Sequence, residues 1–160
     1  MDGQADYLFK KLTPFEGDDG EFWTVPKLME EYMERERENG CAWFSMPYHI
    51  SESKAKEYNG KIRNGERVRI LFGLNDETVD NDIGYSADVL ELHTFQELTP
   101  CPGKAAGLEA DGTNRTWFKM RNLKRETAIR ASMMRFISTG ANLKEVICAS
   151  QCHFGYVSFK

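Results

Sequence analysis

This 160-residue chain lacks most of the short motifs that identify a chemistry. It has three histidines and four cysteines (Cys41, Cys101, Cys148, Cys152), and no two cysteines form a CxxC pair, the strongest spacing for zinc. Cys148 and Cys152 stand one helical turn apart beside His153, and Cys41, Cys101, His49 and His93 could complete a ligand set. Thiols at that spacing are most often small buried hydrophobes, so no metal and no cofactor are expected. There is no GxSxG and no HExxH, and Gly103-Lys104-Ala105-Ala106-Gly107 lacks both the Walker spacing and a preceding strand. These gaps make an enzyme the minority reading. No run approaches 18 apolar residues, and Met1-Asp2-Gly3-Gln4 has neither a basic n-region nor an apolar h-region. The expectation is a cytoplasmic protein with no membrane segment, its cysteines reduced.

What is present describes a folded domain. The chain is 41% hydrophobic and 29% charged, which suits one globular unit with a core of its own. Its net charge of −4 conceals an uneven distribution. Residues 1–40 hold eleven acidic and five basic side chains, residues 41–114 twelve and seven, and residues 115–160 two and nine. A basic C-terminal quarter on an acidic protein argues against tight, sequence-indifferent binding to a long polyanion, yet it leaves a patch able to hold a short strand. Solvated helix faces would give the same pattern.

Along the chain, Thr24 is placed to cap a helix with Pro26 in its first turn. Leu28, Met29, Tyr32 and Met33 form an apolar stripe, and Gly40 is placed to end the helix. Cys41 to Met46 reads as a buried strand stopped by Pro47, Glu52 to Tyr58 as a helix, and Asn64-Gly65 as a turn. Arg67 to Phe72 sets Val68, Ile70 and Phe72 on one face, the period of a half-buried strand. An acidic loop runs from Gly73 to Asp82, and strand character resumes over Gly84 to Leu92. Residues 99–114 read as a surface loop and Thr116 to Met120 as a strand. Helices are expected at Lys124 to Ser138 and Leu143 to Gln151, and a final strand at Gly155 to Phe159.

Three segments carry a family likeness: Ala42-Trp43-Phe44-Ser45 as an opening strand, Ile62 to Phe72 as a glycine turn into a second, and Asp82-Ile83-Gly84-Tyr85-Ser86-Ala87-Asp88-Val89 as a third. Their order resembles the PUA-like superfamily and, within it, EVE-like domains such as the N-terminal recognition domains of McrBC-type methylation-dependent restriction enzymes. The resemblance implies an α+β fold: a small, partly open mixed β-barrel flanked by helices over residues 41–160, preceded by an acidic helical extension over residues 1–40. It also implies a nucleic-acid-binding module, not an enzyme, that captures a modified or flipped base. Such a module would serve restriction or defence, with DNA favoured over RNA and a nuclease or translocase as partner or fused domain. The abrupt end at Lys160 suits a domain excised from a longer parent.

A flipped base must regain its stacking from aromatic faces and find polar groups for its Watson-Crick edge. Trp43, Phe44, Tyr48, Tyr85, Trp117 and Phe118 are the aromatic candidates, with Ser45, Asp82, Asn75 and Asp76 as polar ones; Lys119, Arg121, Lys124 and Arg125 are the phosphate candidates. Each ring has a core reading beside it, because neighbours such as Trp43 and Phe44 point to opposite faces of a strand. Two other functions compete. An adaptor would set the acidic first 40 residues against a basic partner, and a small hydrolase would need His49, His93 or His153 beside a cysteine or serine.

Overall fold

The structure, a computed structural model, describes residues 5–16, 20–74, 82–103, 113–149 and 153–160. Its class is α+β. Strands β1 (Asp6–Leu12), β4 (Ala42–Met46), β5 (Val68–Leu74), β6 (Ile83–Pro100), β7 (Thr113–Arg125), β8 (Met134–Phe136) and β9 (Phe154–Phe159) form one open, mostly antiparallel sheet in the order β4-β7-β6-β5-β1-β9-β8. β2 (Phe15–Glu16) and β3 (Phe22–Trp23) pair separately. The helices are α1 (Val25–Asn39), α2 (Glu52–Arg63) and α3 (Leu143–Ala149). None of them is long and apolar enough to cross a membrane.

Two compact units divide the chain. The first takes Met1–Ala5, Glu30–Val68 and Ala87–Leu123. In it β4 pairs with β7 so that Phe44 stands opposite Phe118, and Tyr32 of α1 meets the Phe44 ring edge-on at 5.9 Å. α2 begins at Ser51, whose side chain accepts from the Lys54 amide, and it buries Ala55 and Tyr58. From α2 the Asn59 amide donates to the Leu92 carbonyl at 2.6 Å and accepts from the Leu92 amide at 3.0 Å, so that one side chain imitates a strand pairing on β6.

The second unit takes Asp6–Met29, Arg69–Ser86 and Lys124–Lys160. Phe9 and Phe136 meet edge-on at 6.2 Å in its core. Gly73 and Gly155 are small because larger residues would strike those rings: a Cβ at Gly73 would lie 2.5 Å from Phe9, and one at Gly155 would lie 2.3 Å from Phe136.

Several expectations hold. α1 starts where Thr24 Oγ1 accepts from the Lys27 amide and ends at Gly40, whose φ of 80° suits glycine. The strand at Trp43, the turn at Gly65 and the closing strand also stand where the residue pattern places them. Others are corrected. β5 is buried along its whole length, not half-buried, because strands flank it on both sides and both faces are covered. α2 continues five residues past Tyr58. The acidic first 40 residues, expected to be a helical extension, also hold β1, which lies inside the sheet between β5 and β9. The helix expected over Lys124 to Ser138 is instead the end of β7, a 3-10 turn (Ala131–Met133) and β8. Within this segment the Glu126 carboxylate accepts from the amides of Ala128 and Ile129, and the Arg130 guanidinium donates to the Ile83 carbonyl of β6, which holds the segment against the sheet.

Candidate functional site

Register on β4 and β7 sorts the candidate residues into two faces. Trp43 stands opposite Lys119 and Ser45 opposite Trp117, while Phe44 stands opposite Phe118. Alternation therefore puts Trp43, Ser45, Trp117 and Lys119 on one face and Phe44 and Phe118 on the other. The second set is core. Phe44 and Phe118 are 3% and 0% exposed and pack beneath α1, which removes both from any surface that a ligand reaches.

The other face carries the site. Trp43 and Trp117 form a buried cluster with Cys101, against which Cys41 and Phe95 pack. β6 contributes alternate residues Glu91, His93 and Phe95; the His93 ring lies 5.7 Å from Trp43 and stacks on Phe95 at 6.5 Å. Trp117 donates its indole N–H to the Thr99 carbonyl at 3.0 Å, and the Asn114 amide donates to Ser45 Oγ at 2.7 Å. Along β7 the residues of this face read Arg115, Trp117, Lys119, Arg121: three cations interleaved with one indole.

Neither indole is open to solvent. Trp43 is 4% and Trp117 1% exposed. Their cover includes the tripeptide Cys101-Pro102-Gly103, and a Cβ placed on Gly103 would fall 1.7 Å from the indole nitrogen of Trp43. Backbone, not a bulky side chain, thus rests on the pyrrole edge of that ring. The expectation that these rings stand around an empty slot is corrected accordingly: the slot is closed.

The charges at the rim pair with one another. Lys119 Nζ lies 3.1 Å from one Glu91 oxygen and His93 Nε2 lies 3.0 Å from the other. Partial burial works to raise the Glu91 carboxyl, but hydrogen bonds from His93 and Lys119 and the lysine charge hold it below the usual carboxylate value. His93 faces this carboxylate through Nε2.

The remaining candidates lie elsewhere. Tyr48 is 46% exposed, just past β4, and its carbonyl accepts from Thr116 Oγ1. Tyr85 is 3% exposed in the second unit, with the Arg125 guanidinium 5.6 Å from its ring centre, so it is core rather than a stacking face. Asp82 is engaged by backbone: its carboxylate accepts from the amides of Ile83 and Ala131, both at 2.7 Å, and this removes it as a base-edge reader. Arg121 and Lys124 are exposed. Asn75, Asp76 and Cys152 lie outside the described residues. Among the described residues no group of three His, Cys, Asp or Glu side chains is placed to hold a metal ion.

Glu91, Phe95, Cys101 and Gly103 were not foreseen as neighbours of the indoles. For Glu91, His93 and Phe95 the signal was available in their alternation along one strand. For Cys101 and Gly103 there was none, because contact between a loop and a distant strand leaves no local pattern. A scan against protein-family models finds no match to this chain, and a search of curated proteins finds none either.

Proposed function

We propose that this chain is a nucleic-acid-binding module of the PUA-like, EVE-like kind, its sheet part of a small, partly open mixed barrel. The ligand is a modified or extruded base, taken against the face that carries Trp43 and Trp117. One observation carries the reading: a single sheet face holds two indoles, Ser45, whose hydroxyl accepts from the Asn114 amide, and the cations of β7 in alternation with Trp117. That is the chemistry a short strand needs, an aromatic face for the base and spaced cations for its phosphates. In this reading the Cys101 to Gly103 segment moves off Trp43 when a base enters. The module confers specificity on a nuclease or translocase of a restriction or defence system, and it performs no chemistry itself. DNA is favoured over RNA.

The test is tryptophan fluorescence and anisotropy of the full chain against DNA and RNA oligonucleotides with and without methylated bases, at stated salt. The expected result is quenching by one modified base. Trp43→Leu should weaken that binding by about 5- to 150-fold, the equivalent of one stacked base. Indifference to modification with no quenching would overturn the reading and leave the adaptor function in its place.

A further inference from the structure

The closing strand carries a second aromatic surface, in the second unit, that the reading above does not use. We infer that β9 displays Phe154 and Tyr156 as a stacking platform for two successive bases of a single-stranded nucleic acid, with Arg135 as a phosphate contact. The observations are a sequence pattern, a register and a charge distribution. Phe154-Gly155-Tyr156-Val157-Ser158-Phe159 matches five of the last six positions of the octapeptide that RNA-recognition sheets place on a central strand, with Tyr156, also aromatic, where that pattern has phenylalanine. The first two positions differ, with Cys152 and His153 where that pattern has a basic residue and a glycine.

Geometry gives the pattern its physical content. β9 is paired on both edges, with β1 on one side and β8 on the other, so its faces are held rigid. Tyr156 stands opposite Leu8, Phe154 opposite Lys10, and Ser158 opposite Arg135. Alternation then aligns Phe154, Tyr156, Ser158 and Arg135 on one face, with Val157 and Gly155 on the other. Gly155 is needed on that other face, since the Phe136 ring occupies the space of its Cβ. Phe154 and Tyr156 are half-buried and meet edge-on at 5.5 Å. Ile137 continues the row at 59% exposure, its amide bonded to the Tyr156 carbonyl. The row is open on its β8 side, at Arg135 and Ile137, and closed on its β1 side, where Leu8 and Lys10 are buried.

Charge selects the occupant. Residues 124–160 hold six basic side chains against two acidic ones, and one of those two, Glu126, is turned inward to Ser86 and Arg69. Arg135 and Lys160 are exposed at one end of the row. At the other end, burial first and then the charges of Lys10 and Lys11 push the His153 imidazole below its ordinary value. A basic or wholly apolar partner would not match this surface. Bases with their phosphates would.

The inference does not rest on base capture at Trp43, and the experiment separates the two. Anisotropy of the full chain is measured with a labelled oligo-uridine, an oligo-thymidine and an abasic strand of equal length. Strands with bases should bind more tightly than the abasic one. Phe154→Leu and Tyr156→Leu, which keep apolar bulk and remove the ring, should each weaken binding by about 5- to 150-fold, while Phe22→Leu, which removes an exposed ring on the separate β2-β3 pair, leaves it unchanged. Ultraviolet cross-linking to the unaltered protein should attach the strand to the peptide holding Phe154 and Tyr156, a readout that survives if the variants misfold. Equal affinity for the abasic strand, full affinity in the folded double variant, or cross-links confined to other peptides would overturn it.

Discussion

At Gly103 the main chain takes the place that an incoming ring would need, and one methyl group is enough to probe it. A Cβ there meets the stiff five-membered ring of Trp43 rather than the end of a flexible side chain, so the tripeptide must shift. Gly103→Ala should therefore raise acrylamide quenching of tryptophan emission and lower stability by about 1–3 kcal/mol, the usual cost of overpacking. Unchanged quenching would show that the segment does not govern access to Trp43. The same position shows what was legible at this scale. Alternation indicated that Trp43 and Phe44 face opposite ways, and they do. That both would be buried was not legible, because one is sealed by α1 and the other by a segment nearly 60 residues further on.

Between the end of β7 and β8, polar contacts override a helical pattern. Glu126 accepts from Ser86 Oγ and from the amides of Ala128 and Ile129, and faces Arg69 at 3.6 Å with both side chains nearly sealed. Arg130 donates to the carbonyls of Ile83 and Glu126, and Asp82 receives the Ala131 amide. These bonds tie the segment to β5, to β6 and the residue before it, and to itself. Residues 124–138 read as helical because good helix formers dominate them, and propensity is a weak prior against such a network. α1 was legible for the opposite reason, since its cap, stripe and terminal glycine are all local. Burial works to raise the Glu126 carboxyl, but the Ser86 bond, the two amides and Arg69 bring it below the ordinary value. A lowered folded value means that this stabilisation is complete above the unfolded glutamate value, about 4.3, and is lost as pH falls through the folded one. Glu126→Gln should cost about 3–5 kcal/mol at neutral pH, because it leaves the buried Arg69 facing no charge. The variant's denaturant midpoint should also vary less with acid pH than that of the original chain. A variant as stable as the original at neutral pH would refute this account.

For the molecule as a whole, sheet order was the least legible property. β1 and β9 are neighbours although nearly the whole chain separates them, and periodicity within a strand carries no information about its partner. Charge was legible throughout, since it is counted rather than folded, and it limits how the protein meets a polyanion. With a net charge of −4 and Lys119 bridged to Glu91, the exposed cations that a strand could meet are few, Arg121, Lys124 and Arg135 among them. Each neutralised phosphate of a single strand contributes about −0.7 to the slope of log affinity against log salt, so three such contacts give about −2. Stacking on rings is indifferent to salt, so a residual affinity should persist as the ionic contribution fades. Binding isotherms of the unaltered chain over a range of salt concentrations measure both quantities. A shallow slope with a salt-resistant remainder is the expected signature of ring-dominated recognition. A slope of about −4 or steeper, with binding abolished at high salt, would mean that phosphates alone hold the strand and that neither aromatic face takes a base.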